Sequence, residues 1–152
     1  MSILRFLRFI QRVIISPFFL AIILVMPISV QAEDSAERMV TGQWRFTAAL
    51  DAADVASLDE REAAQLIGRV FTISKEQVKF GDRDCGSTNF EMLKVEPTLH
   101  LRQEFHADAH GLRLPNPVTV VHLDCTSVFI RNPNKVVIFW QGWFFDAVRV
   151  RK

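Results

Sequence analysis

Beyond residue 40 the chain is dominated by short runs in which apolar and polar residues alternate. In Gly42–Ala48, Trp44, Phe46 and Ala48 fall on one side, with Gln43, Arg45 and Thr47 on the other, the period-two signature of a strand covered on one face. Val70–Ile73 and Gln77–Phe80 read as a pair of strands joined at Ser74-Lys75-Glu76, and Phe90–Val95 as a strand ended by Pro97. In Thr98–His106 the alternation places Leu99, Leu101 and Phe105 inward and His100, Arg102, Glu104 and His106 outward. Val118–Leu123 and Ser127–Arg131 are further strands, with Asn132-Pro133-Asn134 as a hairpin turn. Val136–Val150 is the most apolar run beyond residue 40 and reads as one strand with two apolar faces. Phe139, Gln141, Trp143 and Phe145 lie on one face and Trp140, Gly142 and Phe144 on the other, with Gly142 marking a bulge or bend.

One segment departs from this pattern. Ser57 followed by Glu60 reads as a capping box, Asp59, Glu60 and Glu62 put negative charge on a first helical turn, and Gly68 stands where a helix stops. A helix of about three turns needs packing to persist, so it is expected to cover a face or end of the sheet. Strands at this spacing with one short helix predict an all-β fold, a small antiparallel β-barrel or half-barrel.

Residues 1–32 carry a different signal. Arg5, Arg8 and Arg12 precede an uncharged apolar run from Val13, and Val30-Gln31-Ala32 ends it with small residues, the pattern of a cleaved signal peptide. The alternative is a retained anchor, because the run to Ala32 is long enough to cross roughly 30 Å. The expected organisation is a signal peptide at 1–32, a loose polar arm at 33–40 and a single domain at 41–152, periplasmic or secreted.

Removing the first segment leaves fifteen basic residues, three fewer than the eighteen present, against seventeen acidic ones, a balance of −2. That balance points to no nucleic-acid partner, and to a membrane only through the first segment. The two cysteines, Cys85 and Cys125, are expected to pair in an oxidising compartment. Closing a loop of that length contributes roughly 3–4 kcal/mol in the chain-entropy account. Asp82, Asp84 and Asp124 beside them read as solvated loop charges.

Gly42-Gln43-Trp44 resembles the G-x-W signature of the lipocalin and wider calycin barrels. In that family the tryptophan closes one end of the barrel under an arginine from the last strand. The resemblance thus implies that Arg149 or Arg151 stacks on Trp44, both residues serving the fold. The chain has no tyrosine and lacks the middle T-D-Y motif. Small periplasmic protease-inhibitor barrels with one disulfide are similar in size and also begin with a tryptophan-bearing strand. A core tryptophan beside a tight glycine turn accounts for the same residues.

No nucleophile elbow, phosphate-binding loop or H-E-x-x-H motif is present in the sequence, and the chain is read as a non-catalytic binding protein without a cofactor. Phe71, Phe80, Leu101, Phe139 and Trp143 are the candidate lining of an apolar cavity for a small hydrophobic ligand. The alternative is an inhibitor or immunity-type protein that blocks an enzyme through Glu33–Val40 or the Ala107–Pro117 loop. A third reading places a metal at His106, Asp108 and His110, with His100 and His122 close by if their strands pair. Chance occurrence in a polar loop is the plainer account of those residues, since no fixed ligand spacing supports a site, and no metal is expected there.

Overall fold

The computed structural model describes residues 29–151, so the Arg-rich start and the apolar run up to residue 28 lie outside the described residues. Helix α1 (Ser29–Val40) leads into β1 (Gly42–Ala52), followed by α2 (Glu60–Gln65), β2 (Val70–Ile73), β3 (Val78–Phe80), β4 (Arg83–Asp84) and β5 (Glu91–Val95). A short α3 (Pro97–His100) runs into a π-helical turn, Leu101–Phe105, and a 3-10 turn, His110–Leu112. The chain then forms β6 (Val118–Leu123), β7 (Thr126–Asn132), β8 (Lys135–Trp140) and β9 (Trp143–Arg149). All nine strands belong to one antiparallel sheet in the order β4-β3-β2-β1-β9-β8-β7-β6-β5. Two register shifts in β1, at Phe46/Ala48 and Ala49/Asp51, bend it while it pairs with β9, and the sheet curls into a half-barrel.

The two faces of the sheet carry separate cores. The inner one takes residues from both ends of the sheet, including Trp44, Phe46, Phe71, Val78, Phe80, Val121, Ile138, Trp140 and Phe145. Its rings are stacked: Phe46 lies 4.4 Å from Phe145 and 4.8 Å from Phe80, and Phe71 meets Trp140 edge-on at 5.1 Å. The outer core lies mainly over β6–β9, with Leu50 of β1 and Val95 of β5 at its margins, and is built with the segment that follows α3, from Leu101, Leu112, Val118, Val120, Phe129, Val137 and Phe144. Phe105 is its hub, with ring centres 4.8 Å from Phe139, 5.5 Å from Phe129 and 5.8 Å from Phe144. Arg131 fastens the cover from below, bonding Asp146 at 2.8 Å and donating to the Leu112 carbonyl.

Several expectations about elements are corrected. Glu33–Val40 is not a loose arm but the end of α1, with Ala36 and Val40 fully buried against the inner core. In α2 the capping box is Asp59 with Glu62, two residues later than expected, because the Ser57 N–H is already held by the Gln141 carbonyl at 3.0 Å. Thr98–His106 is helical rather than extended. Glu96 caps it by accepting from the Thr98 and Leu99 N–H groups at 3.1 and 2.6 Å, Pro97 occupies the first helical position, and Leu99 is exposed. Leu101 and Phe105, four residues apart, face inward under either periodicity.

The run 136–150 is not a single strand. Gln141-Gly142 is a two-residue turn with φ of +52 and +88, and it folds β8 back on β9 with Trp140 opposite Trp143 and Phe139 opposite Phe144. Gly142 is therefore a turn residue and not a bulge. Turning the chain reverses the parity, so Trp140, Trp143 and Phe145 share the inner face while Phe139 and Phe144 share the outer one. The outer face is covered by the Pro97–Leu114 segment rather than by α2, whose Ala63 joins the inner core.

Two links hold the curled sheet in shape. The Cys85–Cys125 disulfide, with Cα atoms 6.3 Å apart, joins the end of β4 to the β6–β7 turn. At the other end Trp44 is fully buried and donates from Nε1 to the Val40 carbonyl at 2.7 Å. The Arg149 guanidinium lies 4.2 Å from its ring centre and donates to the Thr41 and Met39 carbonyls, each at 2.7 Å. A cation closing the C-terminus of α1 over an aromatic face is favourable both for the helix dipole and for the ring. Burial pulls the Arg149 pKa downward. Gly42 makes room for it, since a Cβ there would lie 2.8 Å from Arg149 Nη1.

Candidate functional site

The inner space of the half-barrel is filled by side chains, and clefts open on the surface. One is a two-lobed cleft between the loop after β1 and the cover segment. Its polar lobe, about 550 Å³, is lined by Asp51, Asp54, Arg102, His106 and Asp108. Its more apolar lobe, about 490 Å³, is lined by Ala53, Val55, Phe105 and Phe139 with Glu104, and the lobes share Asp54 and His106.

Local chemistry builds both walls. The loop is pinned through its backbone: the Ala53 N–H donates to Gly142 O at 2.8 Å and the Asp54 N–H to His106 O at 3.1 Å. The Trp143 indole adds a bond to Leu58 O at 2.9 Å. His106, with φ +49, ends the π-helical turn, so its carbonyl turns toward the loop. Val55 at the rim is 86% exposed, the most exposed large aliphatic side chain among the described residues. Asp108 accepts the His110 N–H at 3.1 Å, which, with the adjacent His110 ring, holds its carboxyl below the usual range. Three carboxylates against one guanidinium leave the polar lobe with an acidic balance.

The five expected cavity residues do not converge. Phe71 and Phe80 are buried in the inner core, Leu101 in the outer core, and Trp143 is half-buried at the inner rim. Phe139 alone reaches the cleft, in its apolar lobe. Ala53, Asp54, Val55, Glu104, Phe105 and His106 complete that lobe. Phe105 carried only a general inward-facing signal, and Val55 carried none. Arg149, rather than Arg151, takes the position on Trp44.

His106 and Asp108 line the polar lobe, whereas His110 stands exposed at 3.7 Å from Asp108. Among the described residues no group of three or more His, Cys, Asp or Glu side chains is placed to hold a metal ion. Asp84 serves its turn, accepting from Gln77 Nε2 at 2.6 Å and Gly86 N–H at 2.8 Å, and both bonds lower its pKa.

A second surface feature is an apolar groove of about 580 Å³ between α1 and the β7–β8 turn, lined by Met39, Ile130 and Pro133 with Arg38 and Arg149. Compared with protein-family models, curated proteins and solved structures, the chain has no significant match. The class that the fold defines is therefore architectural: a small all-β half-barrel with a disulfide between the β4 end and the β6–β7 turn.

Proposed function

We propose that this is an exported, non-catalytic binding protein that engages a partner protein through the two-lobed cleft, in the manner of an inhibitor or immunity-type protein. The observation that carries the reading is the anchored loop presenting exposed Val55 between an apolar lobe and an acidic one. A partner segment with an apolar side chain beside a lysine or arginine is complementary to that pair of lobes. The site differs from both contact segments expected from sequence, although the Ala107–Pro117 loop supplies part of one wall. Export is supported by the disulfide and by the Arg-rich, apolar start. No helix of the described residues is long and apolar enough to cross a membrane. Kinship with lipocalin-like barrels belongs to the same proposal and is supported by the stacking of Arg149 on Trp44 next to Gly42.

A photo-reactive benzoylphenylalanine placed at Val55 tests the reading in periplasmic extract, with the same probe at exposed Lys79 as control. The expected result is an adduct of defined mass from position 55 alone, lost in an Asp54→Lys/Asp108→Lys background. Equal adducts from both positions, survival of the adduct after charge reversal, or no adduct would overturn it. The groove beside α1 favours a second reading, a small hydrophobic ligand with an anionic end near Arg38. Native mass spectrometry separates the two, because a retained small molecule adds mass to the purified protein.

A further inference from the structure

The cover segment brings His100 against His122 on the outer face of the sheet. His100 ends α3 and His122 lies on β6, and their ring centres are 5.7 Å apart. His100 Nε2 is buried and has no hydrogen-bond partner. An imidazole nitrogen left so is costly unless something outside the chain uses its lone pair or proton. His122 is oriented by its neighbour, with Nδ1 2.8 Å from Ser127 Oγ across the β6–β7 ladder. An oxygen held at one ring nitrogen directs the other toward a ligand, the usual outer support of a metal-binding histidine.

We propose that His100 and His122 form a two-coordinate site for a monovalent copper ion, one imidazole nitrogen from each. Metal–imidazole bonds of roughly 2 Å put the centres of two rings sharing one ion about 6 Å apart in a linear arrangement and about 5 Å apart at a tetrahedral angle, so the observed separation corresponds to a bent pair. The donor count selects the ion. Zn²⁺ seeks four ligands, and no third His, Cys, Asp or Glu among the described residues joins the pair. A d¹⁰ monovalent ion is satisfied by two neutral nitrogens and carries half the charge into its surroundings, and imidazole is a suitable copper donor. Those surroundings are aromatic: Phe105 meets the His100 ring edge-on at 5.7 Å and Phe129 at 6.3 Å. Because one ligand sits on the cover and the other on the sheet, the ion would join the two.

Titration of the full-length mature protein with Cu(I), kept reduced by ascorbate and competed against bicinchoninate, tests this. One equivalent is expected to bind in the wild type and in the His106→Ala/His110→Ala double variant. Binding should vanish in His100→Phe and in His122→Phe, and weaken roughly tenfold in Ser127→Ala. Uptake that survives loss of His100 or His122, or that follows His106 and His110, overturns the proposal. X-ray absorption on the copper-loaded wild type needs no variant to fold. Two nitrogen donors support the site, whereas sulfur donors or a higher coordination number refute it.

Discussion

At Gly142 the backbone has φ +88, and a Cβ added there would come within 2.4 Å of the Ala56 Cα. This one position thus serves the β8–β9 turn and also admits the loop that forms the cleft wall. Gly68 offers a comparison: its φ is +86, yet an added Cβ there meets nothing within 4 Å. Gly68→Ala should therefore cost about 1–2 kcal/mol from backbone strain alone, and Gly142→Ala about 2 kcal/mol more. Urea denaturation of the two variants reads the difference directly, and equal losses would mean that the loop does not press on the turn. Gly42 and Trp44 stood out in the sequence, and the resemblance they carry implied an arginine from the last strand. The choice of Arg149 over Arg151 required the register, which sets Arg149 directly opposite Trp44.

Among the elements, α3 and its π-helical extension are the least expected and decide most about the surface. Spacings of two and four residues satisfy a strand, and a spacing of four also satisfies a helix, so Leu101 and Phe105 are compatible with both. The helix prevails because the Glu96 carboxylate receives two backbone N–H groups and Pro97 occupies the first helical position. Those bonds hold the Glu96 pKa below its ordinary 4.5. In the unfolded chain the group takes up its proton at higher pH, so between the two values the unfolded state binds more protons. The stabilisation is fully present above the unfolded value and is lost as pH falls through the folded one. At neutral pH Glu96→Gln should melt below the wild type, with the gap closing as pH drops below about 4.5. Thermal melts across that range check it, and a gap independent of pH would separate the cap from the ionised carboxylate.

For the whole molecule, curling is the central fact. The β4 and β5 ends of the sheet are not hydrogen-bonded to each other, and the disulfide joins β4 to the β6–β7 turn instead. With a sequence separation of 40, its loss in Cys85→Ser/Cys125→Ser should cost roughly 3–4 kcal/mol, mainly by enlarging the unfolded ensemble. Strands β3 and β4, short and at the sheet edge, should lose amide-exchange protection ahead of central β1 and β9. Uniform loss of protection would show that the bond stabilises the domain without holding that edge in place.

The sequence by itself determined the all-β class, most strand positions, the hairpin at Asn132-Pro133-Asn134 and the cysteine pairing. Period-two patterning, turn residues and an even cysteine count act locally or by composition, and they need no knowledge of distant neighbours. Only the tertiary structure decided what covers each face. The apolar run 136–150 announced that both sides must be buried, but a two-residue turn at Gln141-Gly142 reversed its parity. Segments distant along the chain then supplied the covers, α1 inside and Pro97–Leu114 outside. The cleft followed from the same cause. Its walls meet because the loop after β1 and the end of the cover bond to one another and to the β8–β9 turn, a convergence that hydrophobic periodicity does not encode.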